Sequence, residues 1–205
     1  MNYIAFRDLM VKGVAFTTEQ VKVLIPSFNI TNLYRWVEKG YLIKLRNGCY
    51  AFAESLKEQD YSFFLSQFIY RPSYVSLESA LSLYGVIPET VTDITSVTTL
   101  GTKTFQSKAG HFSYRTISSK LFWGYEKRLM SDGILAYYIA SLEKAILDLL
   151  YLNTFYNSTD ELLNLRFDDY IMTEVLDKEK LLDYTNRFNV SSLTSRVQQL
   201  LTLYN

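Results

Sequence analysis

The chain has 205 residues, is 48% apolar, and balances 21 Lys and Arg against 21 Asp and Glu, with one histidine and one cysteine. That length holds one or two domains with a substantial core. The single Cys49 rules out an internal disulfide, and the single His111 excludes multi-histidine metal centres or leaves Ser-His-Asp and Cys-His arrangements without partners. No stretch approaches the roughly 18 consecutive apolar residues of a membrane span, and the N-terminus has neither a basic lead nor a signal-like apolar block, so a soluble, cytoplasmic protein with no membrane contact is expected.

The charge is unevenly placed. Residues 1–58 and 71–130 carry more basic than acidic side chains, and residues 131–205 carry the reverse. One face could therefore meet phosphate while an acidic tail stays away from it.

Residues 2–12 predict a first helix, with Ile4, Leu9 and Val11 as its apolar positions and Gly13 as its stop. Val14 to Phe16 reads as a short strand. Thr17-Thr18-Glu19-Gln20 reads as a capping box, in which Thr17 accepts from the backbone and Gln20 reaches back, opening a helix that closes before Pro26. The next helix follows from Ile30, Leu33 and Val37 at helical spacing, with Trp36 assigned to the core and Gly40 ending it. Its polar face carries Thr31, Asn32, Arg35 and Lys39, of which Asn and Arg suit bidentate contacts with base edges. Tyr41 to Arg46 and Cys49 to Ala53 then predict a hairpin around Asn47-Gly48 in a type I′ turn, with Lys44 and Arg46 near its tip and Cys49 packed within it. Helix, strand, helix, helix, hairpin is the order of a winged helix-turn-helix domain.

Asp60 to Tyr70 predicts a connecting helix broken by Arg71-Pro72-Ser73. The expected organisation is a winged helix over residues 1–58, a connecting helix over 59–72, and a mixed C-terminal domain over 73–205, the parts touching for want of a flexible linker. Ser76 should cap a helix that buries Leu77, Ala80, Leu81 and Tyr84 and stops at Gly85. Four β-like runs follow: Ile94 to Leu100, Gly110 to Ile117, Gly124 to Leu129, and Gly133 to Ile139. From Ser141 a helix should bury Leu142, Ala145, Ile146, Leu149 and Leu150, leaving Glu143, Lys144 and Asp148 outside. Three short polar-faced helices should fill the tail from about Asp160. The fold class expected is α+β, with a small sheet and a helical tail.

Enzyme chemistry finds little footing. His111 suits a surface or hydrogen-bonded structural role. Neither phosphate-cradling glycine motif occurs, and the adjacent Asp168-Asp169 would point to opposite faces of a strand. Glu78 and Glu143 are explained by helix-start electrostatics. No catalytic residue, metal or cofactor is expected.

Several separated motifs resemble the AbiEi family of type IV antitoxins and related transcriptional regulators. They are Tyr74-Val75-Ser76-Leu77-Glu78-Ser79-Ala80-Leu81 with Tyr84-Gly85, Phe112-Ser113-Tyr114-Arg115 with Phe122 and Gly124, and Ile139-Ala140-Ser141-Leu142-Glu143-Lys144-Ala145-Ile146-Leu147-Asp148. Lys39-Gly40-Tyr41-Leu42 through Leu45-Arg46-Asn47-Gly48 to Tyr50 is similar to the family's helix-to-wing passage. The likeness spans roughly residues 15 to 152 and departs at Leu142, where the family usually has proline. It implies an autorepressor whose winged helix binds the promoter of its own two-gene operon. It also implies a C-terminal domain that opposes a nucleotidyltransferase toxin in an abortive-infection, phage-defence system, without forming a stable complex with it. On that reading Thr31, Asn32, Arg35 and Lys39 meet the groove, and Lys44, Arg46 and Asn47 meet phosphate or the minor groove. The 17 tyrosines and 13 phenylalanines keep open a second reading, a protein-interaction module whose winged helix does not bind DNA.

Overall fold

In the computed structural model, which describes residues 1–57, 59–89, 91–130 and 133–204, the chain is an α+β protein built on two sheets. Residue 58, where the first part was expected to end, lies outside the described residues.

The N-terminal part begins with α1 (Tyr3–Met10), capped by Asn2, and passes through a 3-10 turn at Val11–Gly13 into β1 (Ala15–Thr17). The apolar face of α1 differs from expectation. Phe6 and Met10, one turn apart, are buried, whereas Ile4 and Leu9 project to solvent. In α2 (Thr18–Leu24) the capping box is present: the Thr17 hydroxyl accepts from the Gln20 amide and the Gln20 side chain accepts from the Thr17 amide. Next come α3 (Thr31–Glu38), β2 (Leu42–Arg46) and β3 (Cys49–Phe52). Asn47-Gly48 forms the hairpin tip, but only Gly48 takes positive φ, at +74°, so the turn is not the type I′ form, which needs both residues there. The physical reason lies beside it. A bulge between Lys44 and Arg46 shifts the register, and the Gly48 carbonyl accepts the Thr18 amide at the start of α2, fixing the tip from outside the hairpin.

The strand order of this sheet is β1-β3-β2, all antiparallel, and every residue of central β3 is buried. Alternation explains how. Tyr50 and Phe52 point into one cluster with Phe6, Phe16, Phe28, Leu33 and Trp36, while Cys49 and Ala51 point into the larger core. The sheet is a wall with an apolar core on each side. Trp36 and Cys49 are thus both core residues, and burial pushes the Cys49 thiol up.

The larger part starts with α4 (Gln59–Ile69), whose Phe63, Phe64, Leu65 and Ile69 are buried. A cis Arg71–Pro72 peptide precedes β4 (Ser73–Val75) and then α5 (Leu77–Leu83). The remaining strands are β5 (Ile94–Thr98), β6 (Lys103–Ser107), β7 (Gly110–Thr116), β8 (Tyr125–Leu129) and β9 (Ala136–Ala140), giving a mixed sheet ordered β6-β7-β5-β4-β9-β8. Four of these six strands answer to the expected runs. β4 was hidden because it has three residues, and β6 because the polar KTFQS sequence forms an exposed edge. Gln67 of α4 ties helix to sheet: its carboxamide donates to the Tyr138 carbonyl and accepts from the Tyr138 amide at 2.9 Å.

Helix α6 (Leu142–Leu152) follows β9, and the tail forms α7 (Thr159–Leu163), a π-helical turn at Ile171–Val175, α8 (Lys178–Phe188) and α9 (Ser191–Leu203). The tail helices close over α6, so Leu142 to Leu150 are all buried. Glu143, Lys144 and Asp148 are therefore inside, contrary to expectation. A period-3.6 pattern identifies the first apolar face of a helix but not a second layer packed on the other side.

Ala51 tests the double burial of the small sheet. Ala51→Leu forces extra volume into a site with core on both sides and is expected to lower stability by about 1–3 kcal/mol in urea unfolding, with an unchanged denaturant slope.

Candidate nucleic-acid interface

Helix α3 is oriented by its apolar side. Leu33 and Trp36 are buried against Phe6 and Phe28, with Ile30 and Val37 at the margins. Asn29 organises its start, the side-chain carbonyl accepting from the Thr31 amide at 2.9 Å and the main-chain carbonyl from the Asn32 amide at 3.0 Å. The opposite face is set by the same period. Thr31, Tyr34, Arg35 and Glu38, spaced i, i+3, i+4, i+7, are exposed together, and Lys39 is exposed at the C-terminal end. Of the predicted residues, Thr31, Arg35 and Lys39 lie in solvent, whereas Asn32 is half-buried at the edge. Tyr34 and Glu38 were not singled out in the sequence, yet counting from Thr31 places both on this face. Glu38 sets a negative charge among the cations.

The hairpin divides its polar residues between two surfaces. Lys44 is exposed and stands opposite Tyr50 in the β2–β3 register, and Tyr50 packs in the cluster that Leu33 and Trp36 of α3 cover. Burial, with Tyr34 adding to it, pushes the Tyr50 hydroxyl up. Lys44 thus belongs with α3. Arg46 does not: its Nε donates to the Ile69 carbonyl at the end of α4 (2.7 Å) and its Nη1 to the Asn47 carbonyl (3.1 Å). The reason is the unsatisfied carbonyls of a helix C-terminus, which attract a guanidinium. Arg46 and Asn47 consequently line a cleft of about 660 Å³ between the hairpin tip and β6. The predicted set of seven residues is one sequence neighbourhood but two places in space.

Arg35, Lys39 and Lys44 form no ion pair with a carboxylate among the described residues. Unpaired cations on a helix face beside a hairpin can contact phosphate oxygens, and Thr31 and Arg35 can donate to base edges.

A second polar constellation lies in the larger core and is closed. Lys144 and Asp148, one turn apart on α6, are paired with both side chains at 0% exposure. Asp148 also accepts from the Tyr74 and Ser76 hydroxyls, each at 2.9 Å, and Lys144 donates to the Tyr74 oxygen at 2.9 Å. The Lys144 ammonium lies 4.9 Å from the Phe188 ring centre and 5.4 Å from those of Tyr74 and Trp123. Gly124, at φ +76°, lets the backbone pass the Lys144 stem, where a Cβ would stand 3.0 Å away. Burial lowers the Lys144 pKa and raises that of Asp148, and their mutual attraction opposes both shifts. Glu143 is paired with Lys180 at 2.7 Å and accepts from the Ser141 hydroxyl. The hydroxyl of Ser76, expected as a helix cap, is turned to Asp148 instead; the Ser79 amide is met by the Thr95 hydroxyl at 3.0 Å. The charged and hydroxyl groups of this constellation are enclosed in the core and bonded to one another.

His111 is a partly exposed strand residue whose Nδ1 lies 2.8 Å from an Asp93 carboxylate oxygen. Among the described residues, no group of three or more His, Cys, Asp or Glu side chains could hold a metal ion, and no helix is long and apolar enough to cross a membrane. No protein-family model and no curated protein matches the chain.

The buried pair makes an asymmetric prediction. Lys144→Met strands a carboxylate in the core and is expected to lower stability by about 3–5 kcal/mol, whereas Lys144→Met combined with Asp148→Leu loses markedly less. Chemical denaturation of the two single variants and the double variant measures the difference.

Proposed function

We propose that the protein is a sequence-specific DNA-binding autorepressor whose N-terminal part works as a winged helix-turn-helix, with α3 as the reading helix. The observation that carries this reading is the exposed face of α3, where Thr31, Tyr34, Arg35 and Lys39 stand beside Lys44 of the hairpin with no carboxylate paired to any of these cations among the described residues. Its DNA is the promoter of its own operon. The antitoxin role rests on the AbiEi resemblance over roughly residues 15 to 152: the larger part opposes a nucleotidyltransferase toxin without holding it in a stable complex. No catalytic step is assigned to the chain.

Asn32, half-buried, contributes less to the groove than Arg35. Arg35→Ala is expected to cost about 1–3 kcal/mol at the cognate promoter and little on scrambled DNA. Lys44→Ala weakens both sequences alike and reduces the salt slope by about 1. Fluorescence anisotropy of the purified chain on both duplexes at several salt concentrations reads both effects. Equal small losses for both variants on every sequence would remove α3 as the reader. Glu38→Gln makes the opposite prediction: removing the negative charge strengthens binding to both duplexes without altering their ratio.

One observation favours the alternative of a protein-interaction module. Leu9, Val23 and Leu24, exposed by 63%, 79% and 65%, rim an apolar groove of about 540 Å³ floored by Ala15 and Phe16. Recovery of a stoichiometric protein partner that is lost on Val23→Asp, together with no salt-sensitive DNA binding, would replace the first reading by this one.

A further inference from the structure

The cleft between the hairpin tip and the edge of the large sheet gathers three cations, Arg46, Arg71 and Lys103, and among the described residues no carboxylate lines it. What holds them is not opposite charge. Arg46 is anchored on the Ile69 carbonyl, and Arg71 donates through Nε to the Gln67 carbonyl at 3.0 Å with its guanidinium 5.8 Å from the Phe68 ring centre. Lys103 stands 5.3 Å from the Phe105 ring centre and 6.0 Å from that of Tyr70. None of the three is ion-paired with a carboxylate among the described residues. Cations lining one cleft repel one another, and an anion placed among them relieves the repulsion. Asn47, Thr104 and Gln106 add neutral polar groups to the same walls, of the kind that bond phosphate oxygens.

We propose that this cleft holds the sugar-phosphate backbone of the duplex whose groove α3 reads, so that the larger part adds phosphate contacts through Arg71 and Lys103. The inference rests on the DNA-binding reading above and extends the binding surface beyond the N-terminal part. Two features select a duplex backbone over a mononucleotide or a single strand. The hairpin is shared, since Lys44 stands with α3 and Arg46, two residues on, forms the cleft wall. A base would also need a free aromatic face to stack on, whereas Tyr70 and Phe105 are already engaged by Lys103 and pack on each other with ring centres 5.7 Å apart.

The test uses the intact chain and compares wild type with Arg71→Gln, Lys103→Gln and the double variant on the upstream duplex and its scrambled counterpart across salt. Each single substitution is expected to weaken both duplexes by the same factor and reduce the slope of log affinity against log salt by about 1, the double by about 2. Inorganic pyrophosphate or a single strand of the same sequence, at matched phosphate concentration, should displace little. Lys103 sits on an exposed edge strand with its ammonium against the Phe105 and Tyr70 rings, so Lys103→Glu serves as a further variant, with a thermal melt confirming that it folds. Unchanged affinity and slope in the double variant, with Arg35→Ala still losing specificity, overturns the cleft assignment and leaves the α3 reading intact. Loss of the Arg35 effect with the Lys103 effect retained does the reverse. Displacement by pyrophosphate or by the single strand below the duplex concentration assigns the cleft to that ligand and overturns the duplex backbone; no duplex binding by wild type overturns both.

Discussion

A three-stranded sheet with core on both faces is the constraint on which the arrangement of this molecule depends. β3 offers Tyr50 and Phe52 to one cluster and Cys49 and Ala51 to the other, so neither face is left for water. Small residues on the side of the larger part let the two layers approach closely, and large aromatics on the other fill the space beneath α1 to α3. Sharing the wall fixes the hairpin against the larger part and leaves α3 on the far side of the small cluster, facing out. The hairpin cannot swing as a free arm, and its Arg46 takes a helix-end carbonyl as partner.

A second constraint organises the larger part. Helix α6 is enclosed by the sheet, α5, α8 and α9, and three of its charged side chains had to be satisfied inside. Lys144 and Asp148 satisfy each other with help from the hydroxyls of Tyr74 and Ser76, and Glu143 draws in Lys180 from α8. Guanidinium groups complete the far end: Arg115 donates to the Leu152 carbonyl at 3.0 Å and Arg196 to the Leu150 carbonyl. The residues that carry the resemblance to antitoxins in this region, Tyr74, Ser76, Lys144 and Asp148 among them, therefore have a structural explanation in this chain. Lys144 and Asp148 are enclosed and satisfied by each other and by the hydroxyls of Tyr74 and Ser76, so their burial needs no partner to explain it.

The two surfaces proposed to meet nucleic acid share a physical logic. Each presents cations that, among the described residues, form no ion pair with a carboxylate, so their charge is available to an incoming anion. The net charge of zero conceals this, because the acidic excess of the tail is local to residues after 131.

The sequence by itself determined the elements whose causes are local. Thr17 and Gln20 announce the start of α2 three residues apart, Gly40 marks the end of α3, Asn47-Gly48 marks the hairpin tip, and the spacing of Leu33 about Ile30 and Val37 orients α3, so the α+β class and the outward position of Thr31, Arg35 and Lys39 were legible. Other features were decided by tertiary structure because their causes lie far along the chain. Ile4 and Leu9 face solvent since Phe6 meets aromatics from four other segments, and Asn47 does not take the φ that its sequence suggests since the tip is fixed by Thr18. β4 and β6 are strands through their neighbours, and Lys144 and Asp148 are buried through α8 and α9. The division of Lys44 from Arg46 is of the same kind: two residues apart in sequence, they are parted by a bulge and by a carbonyl 23 positions away. Periodicity reports which side of an element is apolar, and only the assembled chain decides what covers the other side.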